Sequence, residues 1–546
     1  MRRPRETAVA IAGSGPVGLS LAVELGVRDV PCVVVEPRDR TRLVPRAKLA
    51  NVRTMEHLRR WGIAAELRAA TPLPAEFSTE IAFVTNLLGH EITRFSNVFF
   101  TAPSGDPRFA EPGQQVPQYV LEPVLKARAA RCPDVQFLDG HRVEGFTQHA
   151  NGVDVLVRGA EGQPEPIRAE YLVGCDGGGS TVRRQLGIAM LGQRGIARNY
   201  GVVFRAPELA RLLPFEPALH FWTVNPDTPA FMGPLDRHDL WWLQATAIDP
   251  DVDMDRLDPS ALVRGSVGTD LDLEVVTIDP WEAHALSAER LREGSVFLAG
   301  DAAHMHSPMG AHGMNQGIGD AADLGWKLAA VLAGWAHADL LDSYAHERGP
   351  LHLRVIEEAT RNYASLSNQF IRPGLDDDGP AGRELRRRLG EEIQRVKARE
   401  FYPLGLMLGH VYEDSPIVVP DGLAPPSPEV VAYDPRARPG ARIPHAWLAD
   451  GASLFDRLGP DLTLLRFDPA ADSGPLERAI ADRKLPLHVT TIEEPAVRDL
   501  FASRLALVRP DQVLAWHGDT APENPEAILD AITGRAIRGR VDAIAP

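Results

Sequence analysis

A glycine-rich turn between two apolar segments constrains the fold of this chain more than any other feature. Residues 13–18 have the pattern GxGxxG and follow the short apolar run 8–12. Helical spacing of apolar residues over 16–26 comes next, and a second apolar run covers 32–36. Parallel strands joined through a helix need a right-handed crossover. The chain is therefore predicted to begin as a doubly wound α/β unit of the Rossmann type.

Each glycine of the turn has a separate role in holding a dinucleotide. Gly13 permits the tight turn, Gly15 lets a pyrophosphate approach the backbone, and Gly18 lets helix and strand pack closely. Pro16 and Val17 begin the helix, whose first N–H groups are unpaired and carry a partial positive charge. This context favours a bound dinucleotide over a purely structural turn.

An acidic residue stands where a dinucleotide places a ribose. Glu36 ends the second predicted strand, 23 residues after Gly13, and Arg38 follows it. A carboxylate at this position accepts hydrogen bonds from a ribose diol, and we assign Arg38 to the same site. NAD and FAD both satisfy the pattern, so the turn alone leaves the cofactor open.

Two later apolar runs end in aspartate–glycine pairs. Residues 171–175 lead to Asp176, which a glycine follows, and residues 296–299 lead to Gly300-Asp301. An aspartate at the carboxyl end of a parallel strand points into the ligand crevice, and the adjacent glycine allows close backbone approach. Together with the first turn, these segments indicate an extended ligand.

Three motifs in this order resemble the fingerprints of the class A flavoprotein aromatic hydroxylases, which have the para-hydroxybenzoate hydroxylase fold. They are Gly13-x-Gly15-x-x-Gly18, Asp176-Gly177 and Gly300-Asp301-Ala302-Ala303-His304-x-x-x-Pro308. The resemblance covers about residues 6–370. A later run, residues 438–512, is similar to the thioredoxin-like carboxyl domain of one branch. That branch includes phenol, dichlorophenol and resorcinol hydroxylases and antibiotic-tailoring oxygenases.

The resemblance implies FAD as the cofactor and assigns contacts to it. Asp301 is expected to bind the ribityl chain, Arg46 and Gln118 to contact the phosphates or ribityl region, and Asp176 to brace the cofactor. Backbone amides of residues 313–315 are expected to face the flavin ring. The complete predicted FAD-binding set is Gly13, Gly15, Pro16, Val17, Gly18, Glu36, Arg38, Arg46, Gln118, Asp176, Asp301, Pro308, Gly313, Met314 and Asn315.

The same resemblance implies an NAD(P)H-dependent monooxygenase that hydroxylates a phenolic or related aromatic ring with O₂. Its flavin accepts hydride, forms a C4a-hydroperoxide with O₂ and transfers a hydroxyl group to the ring. Because a second GxGxxG is missing, the nicotinamide is expected to bind transiently, and the choice between NADH and NADPH stays open. Two alternatives remain: a tailoring oxygenase of a larger antibiotic or polyketide, and a flavoprotein reductase without oxygenase activity.

Four residues are candidates for the substrate pocket, although the general base is not identified. They are Lys48, Trp222, Trp241 and Pro308. Lys48 can orient a phenolate, but a solvated lysine is the commoner situation, and buried tryptophans more often belong to a core. Neighbours on a strand face opposite sides, so Trp241 and Trp242 cannot both line one pocket.

The histidines near the third motif raise two other hypotheses. His304, His306 and His312 with Asp301 resemble a metal ligand set, but the glycine-rich context favours the dinucleotide, and we predict no metal. A hydrolase is disfavoured because no serine stands in GxSxG. One departure from the family is local: residues 310–312 read Gly-Ala-His, where a glycine pair and a glutamine are common.

The domain organisation follows from these motifs and from changes in residue composition and apolar spacing along the chain. Residues 1–185 and 290–370 are expected to form the Rossmann-like FAD-binding domain, and residues 186–289 an inserted, mostly antiparallel substrate sheet. Residues 371–430 are expected to supply a charged helix, over about 383–400, and a proline-rich linker. Residues 431–546 are expected to form a thioredoxin-like α/β domain. It lacks cysteine, so its expected role is packing or dimerisation.

The composition limits which binding partners and which cellular compartment are expected. The formal net charge of −16 opposes binding to nucleic acid or to anionic membranes. No apolar stretch is long enough to span a membrane. The three cysteines are far apart, which is typical of a reducing cytoplasm. We therefore expect a cytoplasmic enzyme with a small aromatic substrate, and a homodimer by analogy with relatives.

Overall fold

The computed structural model describes residues 5–38, 43–103, 105–159, 162–424 and 428–537. The strands are β1 (Arg5–Ala12), β2 (Cys32–Glu36), β3 (Leu49–Ala50), β4 (Ile81–Val84), β5 (Glu91–Phe95), β6 (Gln114–Gln115), β7 (Val135–Asp139), β8 (His141–His149), β9 (Gly152–Gly159), β10 (Glu165–Gly174), β11 (Met190–Arg205), β12 (His220–Thr223), β13 (Ala230–Pro234), β14 (Leu240–Ile248), β15 (Glu274–Ala288), β16 (Arg292–Glu293), β17 (Val296–Leu298), β18 (His304–Met305), β19 (Leu462–Arg466), β20 (Leu487–Thr491), β21 (Leu505–Val508) and β22 (Leu514–Gly518).

Helices connect these strands and cover their faces. They are α1 (Pro16–Gly26), α2 (Val52–Arg60), α3 (Ala64–Ala70), α4 (Gln118–Ala130), α5 (Thr181–Gln185), α6 (Leu209–Leu212), α7 (Pro259–Val267), α8 (His312–Leu332), α9 (Ser343–Tyr363), α10 (Pro380–Phe401), α11 (Leu404–Leu408), α12 (Gly474–Asp482), α13 (Pro495–Phe501) and α14 (Pro525–Ile532). Short 3₁₀ helices lie at Val98–Phe100, Met254–Arg256, Gly300–Ala302, Ala338–Asp342, Ser367–Phe370 and Leu454–Arg457.

The first sheet is the predicted doubly wound unit. Its order is β16-β17-β10-β1-β2-β7, and β17, β10, β1, β2 and β7 are parallel. β2 is buried along its whole length, as expected for a parallel strand covered on both faces. Strands far apart in sequence therefore bring their carboxyl ends, and the three predicted motifs, to one edge.

The second sheet is mostly antiparallel, as predicted, but it takes strands from a wider part of the chain. Its order is β18-β15-β11-β14-β13-β12-β4-β5. β4 and β5 precede the predicted insert 186–289, and β18 follows it. β4 pairs in parallel with β12, a contact between distant segments that local sequence patterns do not reveal.

Helix α10 closes the second sheet on one side. It covers Pro380–Phe401, close to the charged helix expected within the segment 371–430, and it packs against β5. Its buried residues Leu389, Ile393 and Phe401 join the core of the second sheet. This helix is thus part of the substrate side of the molecule.

The carboxyl-terminal domain is a separate, smaller α/β unit. Its sheet has the order β20-β19-β21-β22, with β20 parallel to β19 and the other pairs antiparallel. Helices α12 and α14 contact each other beside this sheet. The mixed sheet with flanking helices agrees with the predicted thioredoxin-like domain. Among the described residues, no helix is long and apolar enough to cross a membrane.

Candidate functional site

The GxGxxG turn lies at the carboxyl end of β1 and depends on two of its glycines sterically. Gly13 has a φ of +102°, and a Cβ on it would lie 2.5 Å from the carbonyl oxygen of Cys175. A Cβ on Gly18 would lie 2.0 Å from the carbonyl oxygen of Gly13. A side chain at Gly13 would push the turn away from the end of β10, and a side chain at Gly18 would push α1 away from the turn. The turn is therefore shaped by contacts that only glycine permits.

The turn presents the amino terminus of α1 to a large cavity. Gly15 occupies the N-cap position and Pro16 begins the helix, and no side chain caps the free N–H groups. Gly13, Gly15, Pro16 and Val17 all line the cavity. Uncapped N–H groups and the helix dipole together form a site for phosphate oxygens.

Glu36 lines the same cavity and also organises the turn. Its Oε2 accepts hydrogen bonds from the backbone N–H of Ser14 (2.8 Å) and from the Ser14 hydroxyl (3.2 Å). Its Oε1 accepts one from the N–H of Arg38 (2.9 Å). The carboxylate thus positions the pyrophosphate-binding turn, a role that the strand-end pattern did not reveal.

The two aspartates of the later motifs face the cavity from neighbouring strands. Oδ2 of Asp176 accepts hydrogen bonds from the N–H groups of Thr181 (2.7 Å) and Val182 (3.2 Å). Its Oδ1 is buried and has no hydrogen-bond partner among the described residues. Asp301 lines the cavity. Desolvation by the surrounding protein raises the pKa of its carboxyl group. Both carboxylates have capacity for a ligand hydroxyl group.

A second uncapped helix terminus faces the cavity at α8. Ala311, with a left-handed φ of 56°, occupies the N-cap position without a side-chain cap, and Gly313 and Met314 line the cavity. Asn315 does not line it. Its side chain instead donates to the carbonyl oxygens of Leu49 (3.0 Å) and Ala311 (2.6 Å). Asn315 therefore ties α8 to β3 from behind the cavity wall.

One continuous cavity of about 830 Å³ joins these elements to the second sheet. Its polar part is lined by the two helix termini and by predicted FAD-binding residues that include Arg38, Arg46 and Gln118. The uncapped N–H donors can bind phosphates, and the unpartnered oxygen of Asp176 can bind a hydroxyl group. The glycines let a ligand lie close to the backbone. The residues present therefore fit FAD.

The other part of the cavity, the substrate chamber, has aromatic walls. They are formed by Phe99, Trp222, Phe231, Trp242 and Phe401. Trp222 stacks on Phe231 with ring centroids 4.9 Å apart, and Phe231 meets Trp242 edge to face at 5.5 Å. Phe401 ends helix α10, so a late part of the chain completes this wall. Such walls suit a flat, apolar ligand.

The prediction for one substrate-pocket candidate is wrong. Trp241 does not line the cavity but packs in the core on the opposite face of β14, among Phe204, Leu243 and Val263. Its neighbour Trp242 lines the cavity instead. Alternation along β14 sends one tryptophan to each face, and the sequence did not reveal which face was which. Lys48, Trp222 and Pro308 do line the cavity.

This pair of tryptophans gives a matched test of the chamber. We expect Trp242→Phe to weaken binding of aromatic ligands by roughly 2- to 10-fold, because part of an aromatic contact is lost. Trp241→Phe should leave ligand affinity unchanged and affect only stability. Ligand titrations of the two holoenzymes, followed by flavin absorbance, measure both. Equal effects on affinity would contradict the assignment.

The structure places the histidines of the considered cluster in different surroundings. His306 lines the cavity, whereas His304 lies behind it with Asp320 and His352. These three could hold a metal by distance alone. However, the Asp320 carboxylate already accepts hydrogen bonds from Arg348 Nε (2.8 Å) and from the N–H of Gly300 (3.0 Å), besides its histidine contacts. The arginine charge already neutralises this carboxylate, so the group is better suited to brace the Gly300 turn.

Sequence reasoning missed several residues of the chamber. Gln115 and His220 line it but stand in segments without a recognisable motif. Glu400 and Phe401 come from α10, which was expected only as a charged helix. Since pairing of distant segments brings these residues in, no local signal distinguishes them.

A doubly wound sheet, a phosphate-binding turn and an aromatic chamber on a second sheet define a flavin-dependent oxidoreductase. The comparisons with known proteins agree. A model described as "FAD binding domain" matches residues 6–359, and one described as "Aromatic-ring hydroxylase, C-terminal" matches residues 436–536. The chain belongs to the family of FAD-dependent aromatic-ring hydroxylases. It is a monooxygenase that uses FAD as cofactor and NAD(P)H as co-substrate.

Individual relatives match over nearly the whole chain. Tetracenomycin B2 monooxygenase-dioxygenase of Streptomyces olivaceus is 33% identical, over 97% of this chain and 99% of its own. The rebeccamycin biosynthetic enzyme RebC with reduced flavin has a TM-score of 0.90 at 36% identity, covering 98% of this chain and 100% of that one. Aklavinone-11 hydroxylase with FAD and aklavinone has a TM-score of 0.83 at 31% identity, covering 97% and 99%.

Proposed function

We propose that this monooxygenase hydroxylates a phenolic ring held flat in the aromatic chamber. The observation that carries the proposal is the continuity of one cavity from the α1 terminus to the walls formed by Trp222, Phe231 and Trp242. A ligand in the chamber would therefore lie beside a cofactor that extends from the GxGxxG turn. Phenolic substrates suit electrophilic hydroxylation because their oxygen enriches the ring.

Bound FAD supplies hydride acceptance and oxygen activation, and the protein supplies binding, orientation and exclusion of water. We assign the pyrophosphate to the turn at Gly13 and Gly15, and the ribityl hydroxyls to Asp301. The uncapped terminus of α8 at Gly313 would offer its N–H groups to the flavin. The apolar walls exclude water, which protects the reactive state of the cofactor from unproductive breakdown.

A multi-ring aromatic substrate is the second candidate. Its support is the breadth of the chamber, whose walls come from β12, β13, β14 and α10. The relatives named after tetracenomycin and aklavinone also point toward fused-ring compounds. A panel from single phenols to hydroxylated polycycles therefore covers both candidates.

The decisive measurement is anaerobic reduction of the bound flavin, by NADPH and by NADH, with and without each panel compound. We expect at least one phenolic compound to accelerate reduction strongly and to be hydroxylated once O₂ is admitted. Flavin that reduces at one rate with every compound, without hydroxylated product, would contradict the proposal. It would instead favour a reductase without oxygenase activity.

We also propose a cytoplasmic enzyme that forms a homodimer, with the domain division given above except that β4, β5 and β18 belong to the second sheet. Support for the location comes from Cys32, Cys132 and Cys175, which are all free thiols. Support for the dimer comes from analogy alone. Analytical ultracentrifugation of the holoenzyme tests the dimer, and a single monomeric species would contradict it.

A further inference from the structure

One end of the substrate chamber is polar. Lys48 immediately precedes β3, and Gln115 lies opposite β3 on the paired strand β6. His220 begins β12, and Trp242 faces it from β14 with ring centroids 5.1 Å apart. All four residues line the cavity. A basic side chain therefore lies at a polar end of the chamber, against the ring of Trp242.

No counter-charge among the described residues is in contact with the Lys48 ammonium group. Its Nζ lies 3.9 Å from the centre of the Trp242 ring and donates to the carbonyl oxygen of Arg46 at 3.3 Å. Within the described parts of the chain, no carboxylate forms an ion pair with it. An ammonium group has three donors, so capacity for a further acceptor remains. A half-buried cation in this state favours an anionic ligand.

Among the four residues of this end, Lys48 is the one that carries a charge. Burial lowers the pKa of Lys48 to about 8, against the opposing effect of Asp279 on β15. Burial lowers the pKa of His220 to about 3, and the nearby Lys48 charge adds to that effect. His220 is therefore neutral at pH 7, and its Nε2 lies 3.3 Å from the Gln115 amide. Arg46 lies on the same loop and contacts Asp279 at 3.9 Å.

Resting on the proposed aromatic substrate, we propose that Lys48 binds an anionic oxygen of that substrate and selects ionised aromatic compounds. A phenolate and an aromatic carboxylate share this chemistry. For a phenol, which is mostly protonated at neutral pH, a nearby ammonium favours the phenolate. The phenolate is the more electron-rich ring, so the same contact that selects the substrate also prepares it for electrophilic hydroxylation. Lys48 is thus a specificity-determining residue.

The test compares charged ligands with neutral analogues of similar shape. Binding of 2-naphthoate against 2-naphthamide, and of 4-nitrophenolate against 4-nitroanisole, is measured on the oxidised holoenzyme through flavin absorbance. We expect Lys48→Met to weaken the charged member of at least one pair by roughly 30-fold or more while the neutral member changes little. Which pair responds distinguishes a carboxylate from a phenolate.

A matched control carries the same charge change elsewhere. Lys126 also lies over an aromatic ring, that of Phe137 at 5.1 Å, but it is exposed and pairs with Asp139. Lys126→Met should leave all four affinities unchanged. If it reproduces the effect of Lys48→Met, net charge rather than a specific contact is responsible, and the proposal is overturned.

The pH dependence supplies a readout that a purely structural role would not change. 2-Naphthoate stays ionised between pH 6.5 and 9.5, so wild-type affinity should fall as pH rises through about 8, where Lys48 loses its proton. Lys48→Arg should retain affinity without this decrease, because arginine stays charged. Lys48→Met should bind weakly at every pH.

The outcomes distinguish failure of the proposed substrate from failure of the proposed role of Lys48. If the wild-type holoenzyme binds none of the four compounds and no compound of the phenol-to-polycycle panel changes flavin reduction, the proposed aromatic substrate is wrong. Alternatively, the wild-type holoenzyme binds the compounds while Lys48→Met weakens charged and neutral members equally, or weakens none of them. In either case the role of Lys48 is overturned and the proposed function stands.

Discussion

Gly13→Ala is expected to yield protein that does not retain FAD. The added Cβ would have to occupy a φ of +102° and would lie 2.5 Å from the carbonyl oxygen of Cys175. The positive φ alone costs about 1–3 kcal/mol for an alanine. The clash adds to this cost and displaces the turn from β10. Because the turn sets the position of the α1 terminus, we expect FAD affinity to fall roughly 30-fold or more.

Flavin content after purification and titration of the apoprotein with FAD measure this effect. Gly62→Ala is the matched control, because Gly62 also has a positive φ, of +77°, but has open space around it. It does not line the cavity, so FAD content should be normal. Far-UV circular dichroism establishes that both variants fold. Wild-type FAD affinity in folded Gly13→Ala protein would contradict the assignment of the turn.

Arg509→Ala is expected to destabilise the contact between the carboxyl-terminal domain and the FAD-binding domain. Arg509 is fully buried and donates to Glu347 (2.9 Å) and Asp511 (2.6 Å). Burial raises the pKa of Glu347, but Arg509 and Lys327 outweigh it and hold that pKa well below its usual range. Removing the guanidinium takes away the ion-pair partner of Asp511 and, among the described residues, leaves Glu347 with Lys327 alone as its ion-pair partner, which costs about 3–5 kcal/mol.

Urea denaturation followed by circular dichroism and by flavin release measures this loss. Arg436→Ala is the control, since Arg436 is exposed and forms only a surface pair with Asp434. Its denaturation midpoint should not change measurably. If the two variants unfold at the same urea concentration, the buried ion network does not stabilise the domain contact.

The cofactor side of the site was largely predictable from the sequence. Glycines with steric roles and aspartates at strand ends are local patterns, because each depends on a few consecutive residues. Asp176 and Asp301 line the cavity for this reason. Asn315 and Gly18 do not line the cavity. The Asn315 amide binds the backbone of a distant segment, a contact that leaves no local pattern, and Gly18 instead lets α1 pack against the turn.

The substrate side was much less predictable. The choice between Trp241 and Trp242 depends on strand register, and a shift of one residue exchanges the two faces. The pairing of β4 with β12 and the packing of α10 join segments more than 100 residues apart. Apolar runs predicted β12 and β14, and a charged segment predicted the helix, but β4 was not predicted and nothing local indicated which element completes which wall.

The parallel order of β1, β10 and β17 also determines when the protein can acquire its cofactor. These strands end at residues 12, 174 and 298, so no nascent chain shorter than about 300 residues contains the whole flavin site. At ribosomal rates of about 5–20 residues per second, this stage is reached on the order of 15–60 s after initiation. Until residue 174 is made β1 lacks its neighbour β10, and until residue 298 is made β10 lacks its neighbour β17, so closure of this sheet waits for pairing of segments far apart in the sequence. Supply of FAD during expression should therefore influence the yield of folded protein as well as its activity.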